Sequence, residues 1–259
     1  MRTIEFAYPV KEITYKQIDS RNLILYVFEP EVQKDKNSVM LFLNGGSFHK
    51  GPQSPLQFQH QAKYFSTLGI TAICVDYRNG YDEGFTPLQA ICDVKSAVRW
   101  VRKHEDHLNI DRNKIVVCGA SAGGYLAVSS IMFENIDDDS DLTDPIPNAC
   151  IIFAAMMDGV DIMRRRCTEL LDIAEDISPI HHVKRCLPRT LWINGTADED
   201  YHQNKEFISQ MVHAGNDIVF KTYNGMEHGF FNYGRHKNKY FHETKIEIEN
   251  FLRTLNYLD

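Results

Sequence analysis

The sequence lacks the features that mark several classes of protein. No apolar run approaches the roughly 18 residues of a membrane-spanning helix. Positive charge is in deficit, because 35 acidic residues outnumber 28 basic ones and give a net charge of −7. This balance argues against a nucleic-acid-binding protein, which needs a positive surface. The N-terminus also lacks the long apolar stretch of a signal peptide, so we expect a cytoplasmic protein without nucleic-acid or membrane partners.

Cysteine is scarce and widely spaced, with six residues and no Cys-x-x-Cys pair. Cys74, Cys118 and Cys150 fall within apolar runs, which is typical of small buried side chains rather than of a disulfide framework. Such thiols suit a reducing compartment. Internal repeats, low-complexity tracts and Gly/Ser-rich linkers are also missing. We therefore expect residues 1–259 to form one domain.

Short, nearly continuous apolar runs recur along the chain. They read SVMLFLNGG, ITAICVDY, KIVVCGA, NACIIFAA and RTLWING. Runs of this kind are typical of strands buried on both faces, as in a parallel sheet. Near the N-terminus, EITYKQI and LILYVFEP flank the polar break DSRN, and this arrangement predicts a hairpin.

Helical apolar spacing fills the intervals between the predicted strands. The stripes begin at Phe58, Ile91 and Phe207, and the segment from about Tyr240 to Leu255 is also helical in pattern. Strands that alternate with helices predict an α/β fold, in which helices cover both faces of a mostly parallel central sheet.

An acidic segment, Asn135 to Asn148, interrupts this alternation with two prolines and several carboxylates. A calcium site is one interpretation, but the segment lacks the glycine and the terminal glutamate of an EF-hand loop. We therefore interpret it as a solvated loop and expect no bound metal.

A second interruption, at about residues 158–178, is too long for a plain crossover. It places five residues on one helical stripe: Met163, Cys167, Leu170, Leu171 and Ala174. We expect an inserted helix that forms a small cap over the carboxyl edge of the sheet.

Gly119-Ala120-Ser121-Ala122-Gly123 follows a predicted strand and opens a predicted helix. The pattern G-x-S-x-G in this context predicts a sharp turn that exposes the Ser121 hydroxyl as a nucleophile. The free amides and the dipole of the helix would favour an anion at the same place. An ordinary helix N-cap serine is the alternative interpretation.

A serine nucleophile needs a base, and the base needs an orienting acid. On this scaffold the chain order is Ser, then Asp or Glu, then His. His228 lies in a glycine-flanked loop after a predicted strand and before the last helix, so it is the candidate base. Asp198 is the first carboxylate beyond the strand RTLWING and is the candidate acid, although Glu199 and Asp200 could substitute for it.

The loop after the third strand reads LFLNGGSFHKG. Gly45 and Gly46 let the backbone approach a ligand closely, so their amides are candidate donors of an oxyanion hole together with the amide of Ala122. Three further residues of this loop are candidates for substrate binding: Asn44, Ser47 and Phe48.

These motifs together resemble the small esterase/lipase group of α/β-hydrolases, which includes hormone-sensitive-lipase-like enzymes and carbohydrate acetyl and feruloyl esterases. The resemblance covers about Val39 to Leu255 and is carried by NGGSFHKG, VDYRN, GASAGGYLA, SPIHHV, GTADED and GMEHGFF. It implies an α/β-hydrolase fold and a triad of Ser121, Asp198 and His228. The chain departs from this group at Asn44, where these esterases carry histidine, and at Ser47, which replaces the third glycine.

The predicted function is a serine carboxylesterase that forms an acyl-serine and needs no metal or organic cofactor. The cap segment is short and charged, with Arg164, Arg165 and Arg166 in a row, so short acetyl-like acyl groups are expected. The substrate is a small-molecule or oligosaccharide ester, and acetylated carbohydrates are one class that the resemblance suggests. The oligomeric state stays open, with a homodimer as one arrangement.

Three other functions use the same scaffold. An arylformamidase-like amidase shares the glycine-rich loop and the serine turn. A peptidase of the prolyl-oligopeptidase type shares the triad but usually adds a propeller domain, for which 259 residues leave no room. A catalytically silent hydrolase fold could serve as a binding protein, although such relatives typically lose a triad residue.

Overall fold

The computed structural model of the chain describes residues 4–19, 21–49 and 54–259. Its strands form one eight-stranded sheet in the order β1-β2-β4-β3-β5-β6-β7-β8. β1 pairs antiparallel with β2, β2 pairs antiparallel with β4, and all other neighbours are parallel. The strands are β1 (Lys11–Ile18), β2 (Arg21–Phe28), β3 (Asn37–Leu43), β4 (Thr71–Val75), β5 (Ile110–Ala120), β6 (Ala149–Phe153), β7 (Arg189–Gly195) and β8 (Ile218–Tyr223). The predicted α/β fold with a mostly parallel sheet is confirmed.

Helices connect the parallel strands. In the described residues they are α1 (Gln59–Thr67), α2 (Pro87–Lys103), α3 (Glu105–Leu108), α4 (Ala122–Met132), α5 (Gly159–Arg166), α6 (Tyr201–His213) and α7 (Lys239–Thr254). Short 3₁₀ turns lie at Pro55–Phe58, Thr168–Ile173, Pro179–His181 and His236–Asn238. The predicted hairpin is present as the β1–β2 pair, and of the two residues between its strands, Ser20 lies outside the described residues.

The central strands are buried on both faces because alternate side chains enter two separate apolar clusters. On β3, Leu41 joins the cluster that contains residues of α2 and α4, whereas Met40 and Phe42 join the cluster under α1 and α7. Every residue of β3, β4 and β6 is buried. This two-sided burial explains why the strands appear in the sequence as continuous apolar runs rather than as alternating ones.

Basic side chains of α2 hold the acidic segment 135–148 against the fold. Lys95 Nζ donates to the carbonyl oxygens of Phe133, at 2.8 Å, and of Ile136, at 2.7 Å. Arg99 forms an ion pair with Asp137 at 2.6 Å. The segment is exposed, as a solvated loop should be, but it is also anchored. Across the described parts of the chain, no group of three or more His, Cys, Asp or Glu side chains is arranged to hold a metal.

All six cysteines are free thiols, and five of them are buried. Burial raises the pKa of Cys74, Cys118 and Cys150, so these thiols remain protonated and pack as small apolar side chains. Within residues 4–19, 21–49 and 54–259, no helix is long and apolar enough to cross a bilayer.

The cap segment differs from the single helix that its apolar stripe predicts. α5 ends at Arg166, Cys167 adopts φ −144° and ψ 67°, and a 3₁₀ turn follows at Thr168–Ile173. Met163, Cys167 and Ala174 are buried as expected, but Leu171 is 43% exposed. Leu171 therefore does not share one buried stripe with these residues, because a 3₁₀ turn has about 3.0 residues per turn and rotates the stripe.

Candidate active site

Ser121 stands between β5 and α4 in a strained conformation, with φ 52° and ψ −119°. Its N–H donates to the Phe153 carbonyl at 2.9 Å, and its carbonyl accepts from the Tyr125 N–H at 3.0 Å, so both sides of the turn are fixed. Positive φ is uncommon for residues other than glycine, and such strain persists only where the surrounding structure imposes it. The Ser121 side chain makes no capping hydrogen bond to α4. Ser121 thus occupies the N-cap position of α4 without capping the helix through its side chain.

Glycine is required on both sides of Ser121 because backbone atoms approach too closely for a side chain. A Cβ atom on Gly119 would lie 2.3 Å from the Gly123 carbonyl oxygen, and a Cβ atom on Gly123 would lie 2.2 Å from the Leu43 carbonyl oxygen. The second contact packs the first turn of α4 directly on the end of β3. The N-terminus of α4 consequently lies beside the glycine loop that follows β3.

His228 and Asp198 are brought together by the parallel pairing of β7 and β8, whose following loops meet at the same edge of the sheet. The Nδ1 atom of His228 lies 2.9 Å from Oδ2 of Asp198. Asp198 is buried with its side chain 0% exposed, and its Oδ1 accepts the Asp200 N–H at 3.1 Å. Each oxygen of this carboxylate thus has a hydrogen-bond partner.

The hydrogen bond to Asp198 raises the pKa of His228 above its usual 6.5, and the charges of Asp198, Asp200 and Glu199 act in the same direction against the effect of desolvation. The His228 side chain is 45% exposed, so its ring remains open to a reactant. With Nδ1 bound to Asp198, Nε2 is the ring atom available to accept a proton. His228 and Ser121 line the same cavity.

The glycine loop is held from three directions. Asn44 is only 3% exposed, and its Nδ2 donates to the Gly45 carbonyl at 2.7 Å. The Tyr77 hydroxyl donates to the Asn44 carbonyl at 2.6 Å. Oε1 of Gln57 accepts the Gly45 N–H at 2.6 Å. Because this hydrogen bond occupies the Gly45 amide, the amides of Gly46 and Ala122 are the better candidates for the oxyanion hole.

Sequence reasoning missed Gln57, Asn232 and Tyr77. Nε2 of Gln57 donates to Oδ1 of Asn232 at 3.0 Å, and Nδ2 of Asn232 donates to the Gly229 carbonyl at 3.0 Å. A continuous set of hydrogen bonds therefore joins the glycine loop to the loop of His228. Asn232 has a weak sequence signal, since it lies four residues after His228 in the same loop, whereas Gln57 belongs to no motif.

Two cavities meet at Ser121. The smaller space, called the closed cavity because it is less open to solvent than the other, has a volume of about 120 Å³. It is lined by apolar, polar and four charged side chains: Ser47, Phe48, Ser121, Ala122, Tyr125, Met156, Ile162, Arg165, Arg166, Glu199, Asp200 and His228. The open groove has a volume of about 490 Å³ and lies on the side of Gly45, Gly46, Gln57 and Phe231. Ser47, Ser121 and His228 line both spaces. An ester carbonyl at Ser121 could thus place one part of the molecule in each.

The predicted binding residues separate into two groups. Ser47 and Phe48 line the closed cavity, whereas Asn44 is buried behind the loop and braces it. Of the three arginines of the cap, Arg165 and Arg166 line the closed cavity. Arg165 is held by Asp161, one turn earlier on α5, through its Nε at 3.0 Å from Oδ1.

Comparison with known proteins agrees with this architecture. The BD-FAE family model matches residues 25–162, and these include the glycine loop and Ser121. Apo esterase 2 of Thermogutta terrifontis is 32% identical, with a TM-score of 0.88 and coverage of 96% of both chains. The same esterase has been solved phosphorylated by paraoxon, with propionate bound and with butyrate bound.

Curated relatives match over smaller shares of their length. Esterase LipC of Mycobacterium tuberculosis is 25% identical over 215 residues, which are 74% of this chain and 53% of LipC. Endo-1,4-beta-xylanase B of Butyrivibrio fibrisolvens is 28% identical over 127 residues, which are 48% of this chain and 18% of that protein. The chain thus spans about half or less of these relatives.

The sheet order, the turn at Ser121 and the flanking helices define an α/β-hydrolase. Within that fold, the chain belongs to the BD-FAE family, a family of esterases. The family and its solved relatives support esterase activity on small-molecule esters.

Proposed function

We propose that this protein is a serine esterase in which Ser121 is the nucleophile, His228 the general base and Asp198 the residue that orients His228. One observation carries the proposal. The strained Ser121 shares a cavity with His228, and the Nδ1 atom of His228 is bound to the buried Asp198 carboxylate at 2.9 Å. A nucleophile, a base and an orienting acid are the parts that acyl transfer needs.

In the proposed mechanism, Nε2 of His228 takes the hydroxyl proton as Oγ of Ser121 attacks the ester carbonyl carbon. The carbonyl oxygen becomes an oxyanion, which the amides of Gly46 and Ala122 stabilise at the N-terminus of α4. Imidazolium then protonates the leaving alcohol, and an acyl-serine remains. Water activated by His228 hydrolyses this ester and restores the serine. These groups supply the chemistry without a metal or an organic cofactor.

We propose that the two cavities bind different parts of the substrate. The acyl group stays on Ser121 after the alcohol has left, so we place the acyl group in the closed cavity and the alcohol in the open groove, from which it can depart. The closed cavity, at about 120 Å³, is much smaller than the open groove, at about 490 Å³, so we expect it to admit only a small acyl group. We therefore propose short acyl groups as substrates. We also propose that the chain is one domain and that residues 158–178 form a small cap on it.

The open groove leaves room for a bulky alcohol, and an acetylated carbohydrate is the class we propose to test. The likeness of part of the chain to a xylanase supports that choice. We also propose a cytoplasmic location. Acetate release from acetylated xylo-oligosaccharides should be detectable if the alcohol is a sugar, whereas activity confined to simple acetates would remove the carbohydrate and leave the esterase.

A fluorophosphonate probe tests the mechanism directly. The wild-type protein should become labelled on Ser121, as shown by mass spectrometry of the modified peptide, and should lose esterase activity in proportion to labelling. Ser121→Ala should remain folded, resist labelling and lose several orders of magnitude in kcat. If the alanine variant kept more than about a tenth of the activity, Ser121 would not be the nucleophile.

A further inference from the structure

Asp200 is a buried carboxyl group at the wall of the closed cavity. It is 8% exposed and occupies the N-cap position directly before α6, yet its side chain makes no capping hydrogen bond to that helix. In the described parts of the chain, its side chain has neither a hydrogen-bond partner nor an ion-pair partner. Its main chain, in contrast, is fully used, since its N–H donates to Asp198 and its carbonyl accepts from the Asn204 N–H.

Two other buried carboxylates of the described residues are paired. Asp93 forms an ion pair with Arg78 at 2.7 Å, and Asp198 binds His228. Burial raises the pKa of Asp200 to about 6, and the charges of Asp198 and Glu199 add to that effect, while the charges of Arg165 and His228 oppose it. A buried charge without a partner is costly, so a carboxyl group that faces a cavity in this state is well placed to bind a ligand.

The charges around the closed cavity limit which ligand group fits. Asp200 and Glu199 contribute two negative charges, and Arg165 and Arg166 contribute two positive charges, so the formal charges of the four balance. A carboxylate only accepts hydrogen bonds and a guanidinium only donates them, whereas a hydroxyl does both. A hydroxyl therefore matches the polar wall, while a second carboxylate on the acyl group would face Asp200 directly.

We propose that Asp200 determines specificity by accepting a hydrogen bond from a hydroxyl of the acyl group, so that the preferred substrates are esters of short hydroxy acids. This inference rests on the proposed function, which places the acyl group in the closed cavity. A site built to bind a hydroxyl discriminates strongly against the analogue that lacks it, because the polar group of the site is then left unpaired.

The experiment compares isosteric esters that differ by one hydroxyl. Methyl glycolate is paired with methyl propionate, and 2-hydroxyethyl acetate is paired with propyl acetate. The ratio of kcat/KM within each pair is measured for the wild-type protein, Asp200→Leu, Asp200→Asn and Glu206→Gln. Glu206→Gln removes a carboxylate from the exposed face of the same helix and serves as the control. Comparing each ratio between proteins cancels the different intrinsic reactivities of the esters.

We expect Asp200→Leu to lower the glycolate-to-propionate ratio about 10- to 100-fold, as the loss of a charged hydrogen bond predicts. Asp200→Asn should lower it less, because its amide oxygen still accepts a hydrogen bond, and Glu206→Gln should leave it unchanged. An unchanged ratio in Asp200→Leu would overturn the inference. A change confined to the 2-hydroxyethyl pair would also overturn it, since the hydroxyl would then belong to the alcohol.

These outcomes are separate from a failure of the proposed function. If Ser121→Ala retained activity on methyl propionate, the mechanism would be wrong whatever the ratios showed. If Ser121→Ala were inactive and the ratios did not depend on Asp200, only the role of Asp200 would be lost. Circular dichroism and urea unfolding of each variant establish that the compared proteins are folded.

Discussion

The side-chain amide of Gln57 donates from Nε2 to Oδ1 of Asn232 at 3.0 Å. Its other atom, Oε1, accepts the Gly45 N–H at 2.6 Å. One side chain therefore ties the loop that would bind the oxyanion to the loop that carries His228. Because both loops must be placed relative to Ser121 at the same time, Gln57 acts as a positioning residue in the proposed mechanism.

We expect Gln57→Leu to lower kcat about 10- to 100-fold with a smaller change in KM, because loss of both hydrogen bonds frees the loop that carries the oxyanion donors. Gln57→Glu keeps an acceptor for Gly45 and loses the donor to Asn232, so its kcat should be intermediate. Gln59→Leu is the matched control, since the Oε1 of Gln59 accepts the exposed Ala7 N–H at 2.8 Å and, among the described residues, no amide of the glycine loop. Equal kcat in Gln57→Leu and Gln59→Leu would show that this bridge has no catalytic role.

Gly46 has φ 134°, a conformation that residues with a Cβ atom rarely adopt. Gly46→Val should therefore displace the loop and cut kcat about 100-fold or more, as expected for loss of one oxyanion donor. Asn44→Ala should cost less, because it removes a brace and leaves the amides in place. Steady-state kinetics on one short ester check both. Unchanged kcat in the Gly46 variant would place the second donor elsewhere.

Gly123→Ala should destabilise the whole protein, because its Cβ atom would lie 2.2 Å from the main-chain carbonyl oxygen of Leu43. The expected loss in the free energy of unfolding exceeds about 4 kcal/mol, in the range reserved for severe core defects. Gly84→Ala is the comparison, since no atom lies within 4 Å of its Cβ position and only its φ of 65° is unfavourable. Urea unfolding that gave the two variants equal stability would contradict the close packing of α4 on β3.

The raised pKa of His228 predicts the acid limb of the pH profile. Because the base must be neutral, kcat/KM should rise with pH through a midpoint above 6.5. Asp198→Asn removes the main cause of the shift and should lower the imidazole pKa, which NMR titration in a Ser121→Ala background can measure. The His228–Asp198 pair stabilises the folded state fully at pH values below the pKa that His228 has in the unfolded chain. This contribution is lost as the pH rises through the higher pKa of His228 in the folded state. A midpoint that did not fall in Asp198→Asn would contradict the assignment.

Ile162 is a buried residue of α5 and lines the closed cavity. Ile162→Ala should enlarge the cavity and raise the ratio of kcat/KM for p-nitrophenyl hexanoate over acetate about 10-fold, since each additional methylene accommodated is worth 1–3 kcal/mol at most. In the wild-type protein the rate should fall steeply as the acyl chain lengthens, because the closed cavity has a volume of only about 120 Å³. Val160→Ala, on the same helix, is the control. A wild-type preference for octanoate or longer esters would contradict the short-acyl assignment.

The strands were predictable because a strand that is buried on both faces has a continuous apolar sequence, as in β3 and β6. The same rule missed the start of β5, where Asp111 is polar and Arg112 is exposed although both belong to the strand. In the cap, the stripe predicted one helix, but the chain changes from α to 3₁₀ geometry at Cys167, a change that apolar spacing does not record. The start of β5 and the change of helix type at Cys167 are both determined by tertiary contacts rather than by the local sequence pattern.

At the candidate site, the sequence identified residues whose neighbours form a motif, and it could not identify those that act through a distant partner. Ser121 and His228 stand in glycine-flanked turns, which are visible locally. Gln57 meets Asn232 only because the loops after β3 and β8 converge at the carboxyl edge of the sheet. The sequence indicated Asp200 only as an alternative to Asp198. Its burial, and the lack of a side-chain partner among the described residues, required the structure.

The order of the strands in the sheet sets the order in which the residues of the candidate site are synthesised and assembled. From β5 outward, the sheet adds β6, β7 and β8 in the order in which the ribosome makes them. The family match ends at residue 162, after Ser121 and before either Asp198 or His228 has been synthesised. In a nascent chain, Ser121 is therefore synthesised well before its proposed base, His228. On the proposed mechanism, the chain is inactive until β7 and β8 have joined the sheet. Hydrolysis would then require that the chain has been made through His228 and that β7 and β8 have joined the sheet, and a chain cut within β7 would carry the serine turn without its proposed base.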